Sequence, residues 1–185
     1  DSTTIACVQD ENGIIFMYDL RHKKIKQRFS FGLNGDYEGI TKVNNTLYVL
    51  RSDGQLFEIE DYFSKIKITQ YKTGVPAMNN EGLCYDKEHH RLLIGCKGKI
   101  NKDPYFKDKR FIYEFDLNSK KLNLKPVVAF NLGMINTFAK EQQIKLPKRV
   151  TKNGKEIEMG FKVNTSEIAI HPITGELYLL SASDH

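Results

Sequence analysis

Three glutamates stand at the head of short apolar segments that otherwise predict buried strands. Glu38 lies in DYEGI, Glu81 in NNEGLCYD and Glu167 in TSEIAIHP. A carboxylate is seldom buried without a partner, so its return at the start of the same kind of strand predicts a shared role. Carboxylates that meet in a confined space either share protons or bind a cation. Alternatively, each accepts hydrogen bonds from backbone N–H groups of a neighbouring unit and holds the units together.

The cation hypothesis makes Glu38, Glu81 and Glu167 metal ligands. Oxygen ligands without a nearby cysteine or histidine suit Ca²⁺ or Mg²⁺ rather than zinc, and Ca²⁺ is the cofactor we expect. Arg51 offers an alternative, because an ion pair with Glu38 or Glu81 would remove the need for a metal. Other polar side chains flank the glutamates and are candidates for the same channel site: Asp36, Asn79, Asn80, Thr165 and Ser166.

No catalytic residue can be assigned from the sequence. His22, His89, His90 and His171 fall in predicted turns, and neither a GxSxG nucleophile elbow nor a phosphate-binding loop occurs. Besides cation binding and backbone linking, direct catalysis is a third interpretation of the three glutamates. Whether the protein is an enzyme therefore stays open.

The elements that position the glutamates repeat along the chain. IACVQDENGIIFMYDL, LYVLRSDGQLFEIED, and LLIGCKGK with RFIYEFDL share an aliphatic strand, a polar turn and an aromatic strand that ends in an acid, and LYLLSASDH opens a further copy. A glutamate strand precedes the last three copies. Four short strands in roughly 40 to 45 residues are typical of one β-propeller blade. The sequence therefore predicts an all-β propeller rather than a sandwich or a barrel.

The repeat divides the chain into units. A partial blade covers residues 1–35, complete blades cover 36–78 and 79–130, an insertion covers 131–163, and a partial blade covers 164–185. Propellers close four to eight blades into a ring. We therefore expect the chain to form about half of a ring, with the remaining blades of the same protein as its partner.

The insertion at residues 131–163 breaks the strand pattern. MINTFAKEQQIK has near-helical apolar spacing, and Pro147 is expected to end the helix. TKNGKE predicts a hairpin, and a smaller insertion, INKDPYFKDK, lengthens the middle hairpin of the third blade. Long insertions often carry function; the alternative is a solvated decoration.

The composition excludes some classes of partner. The net charge is +5, but the lysines are spread over loops and the aromatics lie in strands, whereas a nucleic-acid surface combines clustered basic residues with exposed rings. The sequence contains no run of 18 apolar residues, so no transmembrane segment is predicted. Three cysteines without CxxC spacing argue against a zinc site or a disulfide framework and favour buried free thiols.

The blade openings resemble those of a known family. DYEGI, NNEGLCYD and SEIAIHPITGELYLLSASDH look like the SdiA-regulated, YjiK-like β-propeller proteins, and IACVQDENGIIFMYDL resembles the first blade of Bacteroidetes-type members. The resemblance covers the chain except residues 131–163. It implies a six-bladed propeller that is exported to the periplasm or associated with the outer membrane. The fourth copy departs from the pattern, with Ile168 where the others have Gly39 and Gly82.

The glutamate–glycine opening is also similar to that of gluconolactonase-type propellers. In those proteins such a glutamate ligates a divalent cation at the central axis, and the resemblance implies the same for the glutamates here. The Asn and Asp that complete the lactonase site have no match in this chain.

Two functional hypotheses follow. The first is an envelope-associated binding or scaffolding module that holds a cation in its channel and contacts an unknown protein or a small polar ligand. The second is a metal-dependent hydrolase of the lactonase or esterase type. The module is preferred because no nucleophile or general base is identifiable. The fold does not decide between the two hypotheses, since propellers serve both roles.

Overall fold

Strands make up most of the regular structure. The structure, a computed structural model, describes residues 3–183. The all-β prediction is confirmed: the described residues form fifteen strands, one α-helix and one short 3-10 helix at Pro104–Phe106. In chain order the elements are β1 (Thr4–Val8), β2 (Ile14–Asp19), β3 (Lys24–Ser30), β4 (Tyr37–Val43), β5 (Thr46–Arg51), β6 (Gln55–Glu60), β7 (Lys67–Lys72), β8 (Asn80–Asp86), β9 (Arg91–Cys96), β10 (Lys109–Asp116), β11 (Lys121–Asn131), α1 (Leu132–Glu141), β12 (Lys148–Val150), β13 (Glu156–Glu158), β14 (Thr165–Ile170) and β15 (Leu177–Ser181).

The strands form successive antiparallel sheets. β4 to β7 pair in chain order as a four-stranded sheet, and β8 to β11 form a second one. β1, β2 and β3 make a three-stranded sheet, and β14 pairs with β15. The turns that join the first two strands of the complete sheets contain left-handed residues, Asn44 at φ 53° and His90 at φ 51°. The whole arrangement is a series of hairpins, as the sequence repeat predicted.

The first strands of successive sheets lie side by side. β4 contacts β8, and β8 contacts β14. Glycine makes this approach possible, because a Cβ on Gly39 would lie 2.7 Å from Leu83 Cβ and one on Gly82 would lie 2.9 Å from Ile168 Cγ1. Neither glycine has a positive φ, so the requirement is for space. The glycine that follows each of the first two glutamates is therefore needed for packing between sheets.

Apolar side chains fill the spaces between neighbouring sheets. A complete sheet is covered on both faces, which explains uninterrupted apolar runs such as LYVL. The clusters contain Ile15, Met17, Leu47 and Phe57 between the first and second sheets, Leu50, Leu56, Leu92 and Phe115 between the second and third, and Leu93, Ile112 and Ile168 between the third and the last.

Two of the three cysteines follow the prediction of buried free thiols. Cys84 and Cys96 are buried, but Cys7 is exposed. Cys7 and Ile5 lie on the face of β1 that points away from the second sheet, while Ala6 and Val8 pack against the core. No further sheet covers that outer face among residues 3–183, so the apolar strand pattern alone overestimates the burial of Cys7.

The predicted helix and hairpin are both present in the insertion. Asn131 precedes α1, and its side chain accepts a hydrogen bond from the Met134 N–H at 3.2 Å. The helix ends at Glu141 rather than at Pro147, because Gln143 adopts a left-handed φ of 56°. The hairpin predicted from TKNGKE is formed by β12 and β13.

One side chain of α1 connects the helix to the last part of the insertion. Asn136 Oδ1 accepts a hydrogen bond from the Phe161 N–H at 2.6 Å, and Asn136 Nδ2 donates to the Phe161 carbonyl at 3.3 Å. Because the insertion joins the end of β11 to the start of β14, it lies at the end of the sheets where the first strands begin.

Within the described residues, no helix is long and apolar enough to cross a bilayer.

Candidate functional site

The glutamates sit where the first strand of each sheet is interrupted. In β4 the pairing steps from Tyr37–Arg51 to Gly39–Leu50, so Glu38 lies in a bulge. In β8 it steps from Asn80–Cys96 to Gly82–Gly95, which places Glu81 at the same position. Glu38 and Glu81 are therefore equivalent members of the repeat.

Glu167 is not equivalent to these two glutamates. In β14 the pairing steps from Thr165–Ser181 to Glu167–Leu180, so Ser166 occupies the bulge and Glu167 the position of Gly39 and Gly82. The sequence comparison aligned Glu167 with the other two glutamates, and the strand register corrects that alignment by one residue. Glu167 is exposed, and its Oε1 accepts hydrogen bonds from the Leu83 N–H at 3.4 Å and the Ile168 N–H at 2.8 Å. It links β14 to β8, as the backbone-linking interpretation expects of a single glutamate.

Three carboxylates from two neighbouring sheets meet beside β4. Ligand oxygens of Asp10, Asp36 and Glu38 lie within 4.8 Å of one another. Asp10 belongs to the turn between β1 and β2, and its carbonyl accepts the Tyr37 N–H at 2.8 Å, which anchors that turn to the start of β4. We call Asp10, Asp36 and Glu38 the carboxylate triad.

Burial and nearby negative charges make the ionisation of Glu38 unfavourable. Burial raises the pKa of Glu38 to about 7, and the negative charges of Glu81, Asp36 and Asp10 act in the same direction. The positive charge of Lys97 partly opposes them. Glu38 is thus protonated in part of the population at neutral pH unless a cation binds nearby.

Glu81 has a protein partner instead. It is buried, and its Oε1 accepts a hydrogen bond from Lys97 Nζ at 2.6 Å. This hydrogen bond raises the pKa of Lys97, with further contributions from the charges of Glu81, Glu38 and Asp36. Because Lys97 neutralises Glu81, this glutamate is less available as a metal ligand than the carboxylates of the triad.

Arg51 does not pair with either glutamate. Its guanidinium binds Asp53 through two hydrogen bonds, Nε to Oδ1 at 2.9 Å and Nη2 to Oδ2 at 2.7 Å. The expected ion pair with Glu38 or Glu81 is therefore wrong. Asp53 follows Arg51 by two residues, in the turn after β5, and its carboxylate accepts both hydrogen bonds of the planar guanidinium group.

The remaining candidates serve the backbone. Asn80 is fully buried, and its Nδ2 donates to the carbonyls of Ser52 at 2.9 Å and Ala77 at 3.0 Å. Asn79 adopts a left-handed φ of 54°, and its carbonyl accepts the Lys97 N–H at 2.9 Å. Ser166 Oγ donates to the Leu180 carbonyl at 3.3 Å. These contacts, made by the side chains of Asn80 and Ser166 and by the backbone of Asn79, hold turns and neighbouring strands in place.

Sequence reasoning missed Asp10 and Lys97. Both lie in the turn between the second and third strands of a blade, which we call the inner turn. The signal was present in the repeat, because the residues of each inner turn follow directly on the aliphatic strand that pairs with a glutamate strand. Strand periodicity by itself assigns no role to the inner turns.

Several solved structures share this architecture. The crystal structure of Myxococcus xanthus glutaminyl cyclase, a β-propeller-type fold, matches with a TM-score of 0.55 and 14% identity over 97% of this chain and 64% of that chain. A chain of the mitotic checkpoint complex matches with a TM-score of 0.51 and 9% identity over 98% of this chain and 56% of that chain. The Cps50 (Swd1) β-propeller domain of Myceliophteria thermophila has a TM-score of 0.47 and 12% identity over 97% and 59%.

The similarities to the cyclase and to the checkpoint chain, whose TM-scores exceed 0.5, show the fold. The chain is a partial β-propeller whose complete blades are four-stranded antiparallel sheets, as predicted. It spans less than two thirds of the length of either the cyclase or the checkpoint chain. No protein-family model matches the sequence, and no curated protein is significantly similar to it. At such low identity the likeness carries no activity from one protein to another.

Proposed function

We propose that this chain belongs to an envelope-associated β-propeller binding or scaffolding module of the SdiA-regulated type, and that the module binds a divalent cation at the carboxylate triad. The observation that carries the proposal is the meeting of Asp10, Asp36 and Glu38, whose ligand oxygens lie within 4.8 Å of one another. The blade openings quoted above support the family.

Oxygen chemistry favours Ca²⁺ as the cation. The triad offers carboxylate oxygens alone, without histidine or cysteine, which suits hard cations. Asp10 and Asp36 are exposed and Glu38 is half-buried, so the site has room for water ligands. A bound cation would also stabilise the ionised form of Glu38, whose pKa is raised to about 7 in the protein alone.

A binding role accounts for more of the site than catalysis does. Within the part of the chain that the structure describes, no histidine or cysteine joins the triad. The neighbouring polar groups are engaged in fixed contacts: Lys97 with Glu81, and Asn80 with backbone carbonyls. A rigid acidic surface of this kind binds a cation or a polar ligand without supplying a nucleophile.

Metal-dependent hydrolysis is the second candidate. Glu38 favours it, because burial raises the pKa of its carboxyl group to about 7 without a cation, and a general base acts best when its pKa is near the working pH. In this mechanism Asp10 and Asp36 would hold the cation, which would stabilise charge on the substrate oxygen and lower the pKa of Glu38, and Glu38 would accept the proton of an attacking water. Lactones and simple esters are the substrate class.

Calorimetric titration of the full-length protein with Ca²⁺ tests the cation site. We expect binding that weakens at least tenfold in Asp36→Asn, because the variant removes one charged ligand of the triad. Glu11→Gln is the matched control, since Glu11 lies in the same exposed turn as Asp10 but outside the triad. Absence of binding heat, or equal affinity in Asp36→Asn and wild type, would refute the site.

Assays with lactones and aryl esters separate the two functions. A hydrolase would show Ca²⁺-dependent turnover with a pH inflection below the pKa of about 7 that Glu38 has without the cation, and Glu38→Gln would abolish that inflection. Ca²⁺ binding without turnover supports the binding module. Turnover that persists in Glu38→Gln contradicts the role assigned to this residue in hydrolysis.

A further inference from the structure

Most of the net positive charge of the chain lies in the insertion. Residues 131–163 contain seven basic and three acidic residues, whereas the rest of the chain is nearly balanced, with 21 basic and 20 acidic residues. Lys148 pairs with Glu156 at 2.9 Å. Five exposed cations of the insertion form no ion pair with a described residue: Lys140, Lys145, Arg149, Lys152 and Lys155.

The helix of the insertion has large apolar side chains on its solvent face. Leu132 and Ala139 are buried, but Met134 is 72% exposed and Phe138 is 57% exposed. Met134 and Phe138 are four residues apart and therefore neighbours on the helix surface. The face opposite the buried side of a short surface helix is normally polar. Val150 in the adjacent hairpin is also 64% exposed.

The combination fits a lipid surface better than a protein partner. A stable protein interface buries about 800 Å² on each side around a continuous apolar centre. Here Met134 and Phe138 form one small apolar pair on the helix, and the same insertion carries the five exposed cations. A small apolar group enters the headgroup region while lysines contact anionic headgroups, and the two contributions together give stable attachment.

We propose that residues 131–163 form a peripheral membrane-binding element that attaches the propeller to an anionic phospholipid surface. Met134 and Phe138 enter the interface, and the five unpaired cations contact the headgroups. The insertion lies at the same end of the sheets as the carboxylate triad, so this attachment turns the triad towards the bilayer. The inference is independent of the cation site, because none of its residues belongs to the triad.

Flotation of the full-length protein with lipid vesicles tests the proposal. We expect binding to vesicles of phosphatidylcholine with 30 mol% phosphatidylglycerol at about 0.1 M salt and little binding to phosphatidylcholine alone. Met134→Ser with Phe138→Ser, and separately Lys152→Glu with Lys155→Glu, should each weaken binding at least tenfold. Ile173→Ser is the matched control, because Ile173 is 89% exposed in the turn between β14 and β15.

A reporter locates the contact independently of these variants. Phe138→Trp should show fluorescence quenching by brominated lipid in the anionic vesicles, and Ile173→Trp should not. Absence of binding to anionic vesicles would overturn the proposal. Binding that depends on the lysines but is unchanged in the Met134→Ser, Phe138→Ser variant and is equally competed by heparin would indicate general attraction to polyanions and would overturn it as well.

Discussion

Glu38 and Glu81 occupy the same backbone position in neighbouring blades but have different chemical surroundings. Glu38 lies among the negative charges of Asp10 and Asp36, whereas Glu81 binds the ammonium group of Lys97. Part of the difference comes from the inner turns, which supply Asp10 in the first blade and Lys97 in the third. A repeated strand therefore provides a fixed place for a carboxylate, and residues outside that strand determine which charges surround it.

Replacement of Glu38 should change how stability depends on pH. The folded-state pKa of Glu38 is raised from 4.5 to about 7, so between these values the folded protein binds more protons than the unfolded chain. The free energy of unfolding contributed by this group therefore falls as pH rises through that range. Glu38→Gln should gain about 1 kcal/mol over wild type at pH 8, after allowance for solvent screening, and little at pH 4.

Urea unfolding at both pH values, without added divalent cations, measures this gain. Glu11→Gln is again the control for removal of a nearby carboxylate outside the triad. An equal effect of Glu38→Gln at pH 4 and pH 8, or a loss of stability at pH 8, would contradict the electrostatic account.

The site was only partly predictable because its partners come from turns. Strand periodicity was enough to identify Glu38 and Glu81 as equivalent, and the register bears out that pairing. The same reasoning misplaced Glu167 by one residue, since β14 begins with Thr-Ser before its glutamate and lacks the following glycine. Asp10 joins the triad through an inner turn, QDENG, that is longer than SDG in the second blade. Turn length and turn contacts are not encoded in strand periodicity.

At the scale of the strands, the spacing between blades is limited by glycine. Gly39 and Gly82 face Leu83 and Ile168, the apolar residues of the next first strand, in the same way. Gly-containing strands are often a sign of close approach by another backbone. The sequence predicted the strands around these glycines from their short apolar runs and from the polar turns that bound them. It could not show that the glycines contact the next blade, since that contact depends on the angle between sheets.

Substitution of Gly82 by alanine should separate β8 from β14. The new Cβ would lie 2.9 Å from Ile168 Cγ1 and 3.1 Å from the Ile168 nitrogen. Overpacking of this kind costs about 1 to 3 kcal/mol, measured as a lower free energy of unfolding. Ile168→Ala removes the first of these contacts, so the double variant Gly82→Ala, Ile168→Ala should lose less stability than the sum of the two single variants. Strict additivity would show that Ile168 is not the residue displaced.

Over the whole molecule, the blades are joined by polar networks as well as by apolar clusters. Glu58 in β6 accepts hydrogen bonds from Tyr48 at 2.5 Å, Tyr71 at 2.5 Å and Lys120 at 2.5 Å. Lys120 lies in the turn between β10 and β11, so the network connects the second blade to the third. Burial raises the pKa of Tyr71 to about 12, with the hydrogen bond to Glu58 acting in the same direction. Burial alone would raise the pKa of Glu58, but the hydrogen bonds from Lys120 and the two tyrosines outweigh it and lower that pKa.

Loss of this connection should destabilise the propeller far more than loss of a surface ion pair. Lys120→Met leaves the Glu58 carboxylate, whose side chain is 11% exposed, without its cation, and we expect a loss of about 2 to 3 kcal/mol at pH 7. Lys67→Met is the matched control: it removes a 2.7 Å ion pair with Glu60 between exposed side chains and should leave the free energy of unfolding nearly unchanged.

The pH dependence separates a charge effect from a loss of packing in Lys120→Met. Because the pKa of Glu58 is lowered in the folded protein, its contribution to stability is present above the pKa of the unfolded chain and is lost as pH falls through the folded value. The stability difference between Lys120→Met and wild type in urea unfolding should therefore shrink from pH 7 towards acid pH, where Glu58 becomes neutral in both proteins. A difference that stays constant over this range would mean that the aliphatic part of Lys120, and not its ammonium group, joins the two blades.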